Sequence, residues 1–137
     1  MDKRRVVITG LGAVTPFGVG VDKFWESLKA GKSGISTSES IDIDKHVVKI
    51  SGEVKDFHPE EYMDAKEAKK MDRFIQFAMV AADEAVKDSK LDIEKEDPYR
   101  VGVIVSSAAG GFRTFEENHM RIIQKGPNKC SPFTVPM

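Results

Sequence analysis

Four sets of residues in this chain have types and spacings that could carry chemistry. Gly10-x-Gly12 follows the apolar run Val6-Val7-Ile8, and a glycine turn there can bring helix N-terminal amides to a pyrophosphate. The rest of that nucleotide pattern is missing. Thr15 stands at the third glycine position, Pro16 follows, and no carboxylate stands where a ribose would be gripped. The spacing therefore predicts a structural tight turn. Cys130 lies in Lys129-Cys130-Ser131-Pro132 with no later histidine. A nucleophilic thiolate needs a base or a helix N-terminus beside it, so Cys130 reads as a buried or half-buried free thiol. His46, His58 and His119 are too scattered to close a zinc site, and no metal is expected. Lys66, Lys69, Lys70 and Arg73 recur at helical spacing and predict one positive stripe on the first turns of a helix. A solvated face is the ordinary reading of such a stripe, and a dock for an acidic partner protein is the functional one.

The elements that must position these residues alternate between strand and helix patterns. Arg4–Thr9 is β-branched and apolar without alternation, as in a strand covered on both faces. A short helix over Phe24–Ala30 follows, with Asp22 near its start and Gly31 to stop it. His46–Ser51 reads as an edge strand. Asp64 and Glu67 match a capping box, which predicts one long helix from Ala65 to about Asp88. Met71, Phe74, Ile75, Ala78, Ala82, Ala85 and Val86 lie on one face of it, and Phe77, Val80 and Ala81 on the other. A second covered strand is predicted over Val101–Val105, then Ser106–Gly111, then a helix over about Phe115–Gln124 ended by Gly126-Pro127. The apolar tail Cys130–Met137 has no terminating element. Two buried strands, an edge strand and a doubly apolar helix make half of a layered α/β unit, so the chain reads as cut.

Composition narrows the class. With 40% hydrophobic, 31% charged and 8% aromatic residues among 137, the chain is ordinary globular protein. The formal charge of −1 provides no global field for nucleic acid or an anionic membrane. No apolar stretch approaches the roughly 20 residues that span a bilayer. Lys3-Arg4-Arg5 and the run after it imitate an export signal, but four glycines and Pro16 break that run and no cleavage site follows. The single cysteine suits a reducing cytoplasm.

Several segments, in their order, resemble the N-terminal part of the bacterial β-ketoacyl-acyl-carrier-protein synthases, most closely the elongating synthase II branch of these condensing enzymes. They are Arg4-Arg5-Val6-Val7-Ile8-Thr9-Gly10-Leu11-Gly12, Trp25 through Gly34, and Lys70-Met71-Asp72-Arg73-Phe74-Ile75-Gln76-Phe77. Gly110-Gly111, Glu116-Glu117-Asn118 and Lys125-Gly126-Pro127 leading to Ser131-Pro132-Phe133 complete the set.

The resemblance implies an α/β, thiolase-like fold of layered helix, sheet and helix, with residues 1–137 an incomplete N-terminal half, in a cytoplasmic homodimer. It implies decarboxylative condensation of an acyl thioester with malonyl-acyl carrier protein, using a cysteine and two histidines that lie C-terminal to this region in the family, without metal or organic cofactor. None of that triad falls in these residues, and Cys130 does not stand in the nucleophile motif. What carries over is docking of the acidic acyl carrier protein at Lys66, Lys69 and Lys70, and lining of the acyl pocket by Ala108, Ala109 and Phe133. Ser106 and Ala108 stand where glycine is common, Ala109 is smaller than the frequent isoleucine, and Thr134 replaces a frequent phenylalanine. The competing expectations are a non-catalytic relative that binds a carrier protein or partner subunit, and a nucleotide-binding α/β module.

Overall fold

The structure is a computed structural model that describes residues 3–134. Val135, Pro136 and Met137, the end of the apolar tail, lie outside the described residues. The chain divides into two compact units. One runs through Phe57 and takes in Val80–Lys95, and the other comprises His58–Met79 and the chain from Glu96 onward.

In the first unit, Val14–Thr15 (β1) and Gly18–Val19 (β2) form an antiparallel hairpin, with Val14 opposite Val19 and Thr15 opposite Gly18. The Thr15 hydroxyl closes the turn by accepting from the Phe17 amide at 3.2 Å and donating to the Gly18 carbonyl at 3.3 Å. Helix α1 follows at Val21–Lys29, three residues earlier than the apolar spacing predicts, because Val21 and Asp22 already meet the requirements of a first turn. Phe17 stacks against Phe24 of this helix, with ring centroids 6.3 Å apart. Ser36–Thr37 (β3) and Ile50–Ser51 (β4) form a second hairpin, so only the end of the predicted edge strand is paired.

Glu53, just past β4, closes that hairpin. Its carboxylate accepts from the hydroxyls of Ser38, Ser40 (2.6 Å) and Ser51 (2.9 Å), and from the amides of Glu39 (3.0 Å) and Ser40 (3.2 Å). These donors, the Ser38 hydroxyl foremost, hold its carboxyl far below the usual carboxylate range.

The predicted long helix is broken. It forms as α2, Ala65–Ala68, and α3, Arg73–Ser89. Asp64 caps α2 as its spacing predicts, accepting from the amides of Lys66 and Glu67, but the other leg of the box is spent elsewhere, with the Glu67 carboxylate 2.5 Å from Lys70 Nζ. The break has a local cause. The Asp72 carboxylate accepts from the Phe74 amide at 3.3 Å, and its carbonyl accepts from Ile75 and Gln76, so a new first turn starts there. Gln76 Nε2 reaches back to the carbonyls of Ala68 (2.9 Å) and Met71 (3.2 Å), tying the start of α3 to the end of α2, where the Ala68 carbonyl also accepts from the Met71 amide at 3.2 Å. In the second unit, α4 spans Phe112–Lys125.

The two predicted buried strands are corrected. Neither Arg4–Thr9 nor Val101–Val105 takes part in a ladder, and Val6 is 92% and Ile104 97% exposed. A covered strand requires hydrogen-bonding neighbours beside it and packed layers on both faces. Among the described residues the only ladders are the two hairpins, each pairing strands adjacent in sequence. Among the described residues, the buried apolar side chains are Phe57 and Val80 in the first unit and Ala68 in the second.

Candidate functional site

The Gly10–Gly12 loop is built for contact with a helix. A Cβ on Gly12 would lie 1.8 Å from the Ala81 carbonyl oxygen, and one on Gly10 2.1 Å from that of Ala85. The loop amides are occupied by carboxylates of the same helix. Glu84 accepts from Ala13 (2.9 Å) and from Val21 at the start of α1 (2.8 Å), and Asp88 accepts from Leu11 (3.0 Å). A phosphate would meet two carboxylates where it needs free donors, which weighs against a nucleotide site. The expected tight turn is corrected too, since residues 10–13 run without a turn and the turn falls at Pro16–Phe17. Glu84 and Asp88 are absent from the motifs of the sequence, although carboxylates four residues apart on one helix face are a signal for partners on a facing loop.

The four cations of the predicted stripe do not lie on one continuous helix. Lys66 sits on α2, Lys69 and Lys70 follow its end, and Arg73 opens α3. Lys70 is paired with Glu67, and the Arg73 guanidinium lies 5.0 Å from the centre of the Phe77 ring. Lys66 and Lys69 are exposed and, among the described residues, form no ion pair. The basic character is therefore a bent patch around the α2–α3 corner, with two cations held and two extended into solvent.

The segments bearing the other candidate residues differ from each other. Ala108 and Ala109 lie in an exposed stretch whose turn is closed by one bond, from the Gly110 amide to the Ser107 hydroxyl at 3.0 Å. Phe133 is 39% exposed, and its amide donates to the Ser131 hydroxyl at 3.2 Å. No hydrogen bond or ring contact joins Ala108 or Ala109 to Phe133 among the described residues. Cys130 is exposed, a correction to the expected burial, because it follows the 3₁₀ turn Pro127–Lys129 on the surface with its Sγ 3.5 Å from Thr134 Oγ1. His119 stacks on Phe115, one helical turn earlier, with centroids 6.5 Å apart.

A family model described as the β-ketoacyl synthase N-terminal domain matches residues 3–137. The chain belongs to the β-ketoacyl synthase family. Its similarity to a 3-oxoacyl-[acyl-carrier-protein] synthase 2 of Staphylococcus aureus (strain COL) is 48% identity over 134 residues, covering 98% of this chain and 32% of that protein. The chain thus spans about a third of the length of the curated relatives it matches. Among solved structures, an ishigamide ketosynthase/chain length factor superposes with a TM-score of 0.80 at 26% identity, over 98% of this chain and 34% of that one. A type II PKS ketosynthase in complex with its acyl-carrier protein superposes at 0.75 and 26% identity, over 97% and 34%. The backbone therefore follows the thiolase-like path of the ketosynthases across its described length, even where Arg4–Thr9 and Val101–Val105 lack ladder partners. Within this ketoacyl-synthase region the glycine loop is scaffold, and the residues expected to meet a partner are the exposed ones.

Proposed function

We propose that the protein carrying this chain is a 3-oxoacyl-acyl-carrier-protein synthase of the type II branch. It condenses an acyl thioester with malonyl-acyl carrier protein, releasing carbon dioxide and giving a 3-oxoacyl chain two carbons longer. The observation that carries this reading is the 48% identity to a synthase of that name across 134 residues. In this mechanism a cysteine takes the acyl group, two histidines stabilise the enolate formed by decarboxylation, and backbone amides hold the oxyanion, so no metal or organic cofactor is called for. Residues 1–137 form part of the N-terminal half of the condensing domain in this reading and contribute docking and pocket surface rather than the reacting groups.

The carrier protein docks at Lys66, Lys69 and Lys70. Support comes from their exposure at the α2–α3 corner, and from a solved relative that is a ketosynthase in complex with an acyl-carrier protein. Ala108, Ala109 and Phe133 line the acyl pocket, completed in a homodimer. Among the described residues no helix is long and apolar enough to cross a membrane, which suits a cytoplasmic enzyme. The competing reading, a non-catalytic relative that binds a carrier protein or partner subunit, shares the same docking surface and differs in yielding no 3-oxoacyl product.

Incubation of the protein carrying this chain with acyl- and malonyl-carrier thioesters tests the two readings. The 3-oxoacyl product is expected, and its absence with carrier binding retained would favour the non-catalytic relative. Residues 1–137 produced alone are expected to yield none. Any product from them above a no-protein control would show that chemistry was missed here, and its loss in Cys130→Ala would place that chemistry at the thiol.

A further inference from the structure

The one buried residue of α4 is polar. Asn118 is 6% exposed, on a 14-residue helix where packing alone would place an aliphatic side chain. A buried amide costs stability unless both its ends are bonded, and here both are. Nδ2 donates to the Thr114 carbonyl at 2.9 Å, and Oδ1 accepts from the Ser131 amide at 3.3 Å. Ser131 then organises the residues that follow. Its hydroxyl accepts from the Phe133 amide at 3.2 Å, and its carbonyl accepts from the Thr134 hydroxyl at 2.7 Å and the Thr134 amide at 3.1 Å. In the other direction, the Thr114 hydroxyl donates to the Asp72 carboxylate that caps α3. A chain of hydrogen bonds thus runs from the α2–α3 corner, beside Lys70 and Arg73, through α4 to the backbone of Phe133.

We propose that Asn118 is a positioning residue that fixes the Ser131–Thr134 turn to α4 and thereby sets where the Phe133 ring stands, with Thr114 and Asp72 bracing α4 behind it. This rests on the reading that Phe133 lines the acyl pocket. Its consequence is that discrimination between acyl chain lengths depends on a buried amide that never touches the acyl chain. An Asn is suited to this task because one planar group supplies the donor and the acceptor that two backbone segments require.

The test uses the protein carrying this chain with Asn118→Leu, Asn118→Asp, Thr114→Val and Thr114→Ser, and two readouts. Amide hydrogen exchange at Ser131 and Phe133 is expected to accelerate in Asn118→Leu while the Phe115–Met120 amides stay protected. Asn118→Asp, which keeps the acceptor for Ser131, is expected to accelerate it less, and Thr114→Ser, which keeps the hydroxyl, is expected to match the parent. The ratio of kcat/KM for a long over a short acyl group on one small thioester is expected to move toward parity by about tenfold in Asn118→Leu, and by less in Thr114→Val. Unchanged Ser131 exchange in Asn118→Leu would overturn the proposal. So would equal losses on both chain lengths, since a merely structural role would produce them. Should Asn118→Leu fail to fold, Asn118→Asp and Thr114→Val decide by the same measurements. No condensation by the parent, with Ser131 exchange still dependent on Asn118, would overturn the functional reading and the acyl-length claim with it. Active condensation with Ser131 indifferent to Asn118 would overturn the positioning claim alone.

Discussion

Two stretches of this chain look alike in sequence and behave differently in structure. Arg5-Val6-Val7-Ile8-Thr9-Gly10-Leu11-Gly12 and Arg100-Val101-Gly102-Val103-Ile104-Val105 are both β-branched apolar runs, the first ending in a glycine loop and the second leading to Gly110-Gly111. The first loop is clamped, since its amides meet Glu84 and Asp88 and its glycines touch the backbone of α3. Around the second run, residues 101–110 are all exposed, and a Cβ on Gly102 or Gly110 would meet nothing within 4 Å. Local propensity is similar in the two. What separates them is a pair of carboxylates more than 70 positions away in sequence, which gives one loop fixed acceptors from a distant helix where the other has only the local Ser107 hydroxyl. The clamped loop has become scaffold, and the open stretch retains the exposed backbone and small side chains of Ala108 and Ala109 that a partner or substrate can meet.

The contrast breaks if equal substitutions cost the same in both places. Gly12→Ala forces a Cβ into the Ala81 carbonyl, a backbone group that cannot rotate away, and is expected to lower stability by about 3 kcal/mol in the protein carrying this chain. Gly102→Ala, in open space, is expected to stay within about 0.5 kcal/mol of the parent. Denaturant unfolding of the two variants measures the difference. Equal shifts would mean that the close approach of loop and helix does not hold the first unit together.

The same contrast marks how far the sequence could be read. Asp64 as a cap and the extent of α4 to within a few residues were legible because each is decided by neighbours in the chain. The tight turn expected at Gly10–Gly12 falls instead at Pro16–Phe17, and Gly10–Gly12 runs without a turn against a helix distant in sequence. The break at Lys69–Asp72 was not, because the apolar period runs through it while two polar side chains, Asp72 and Gln76, capture the local backbone. Strand pairing over Arg4–Thr9 and Val101–Val105 was misread for the opposite reason: β-branched runs state a preference, but ladder partners come from elsewhere. The role of Asn118 is not legible in the same way, since nothing in Glu116-Glu117-Asn118 tells which of the three will face inward.

A second carboxylate clamp extends the comparison to pH. Glu53 collects loop donors at the β3–β4 hairpin as Glu84 does at the glycine loop. Its carboxyl is held below the unfolded value near 4.5, so the folded hairpin favours the ionised form. The resulting stability is complete at pH above that unfolded value and is lost as pH falls through the lowered folded one. Exchange at the Glu39 and Ser40 amides is expected to stay slow, relative to its intrinsic rate, from neutral pH into moderate acid and then to rise. Glu53→Gln, which cannot ionise, is expected to expose these amides at every pH and to flatten the profile. An unaltered profile in Glu53→Gln would show that the serines and backbone close this hairpin without the charge.

A small change in stability is also expected at the exposed corner, and it sharpens the contrast between scaffold and contact surface. Reversing Lys66, Lys69 and Lys70 to glutamate removes one ion pair, that of Lys70 with Glu67, and sets like charges three residues apart, a cost of a few tenths of a kcal/mol in an exposed helix. Stability is therefore expected to change by less than about 1 kcal/mol. Carrier-protein docking, if this corner is the contact, loses attraction at three points and gains repulsion. The kcat/KM for carrier-bound acyl groups should then fall roughly tenfold at low salt while a small acyl thioester, which never meets the corner, is turned over as before. Screening over about 10 Å near 0.1 M salt should erase most of that difference. Equal losses on both substrates would make the patch part of the scaffold after all. A loss on neither would return it to an ordinary solvated face, with the open Val101–Gly110 stretch and the Ser131–Thr134 turn left as the surfaces where contact must be sought.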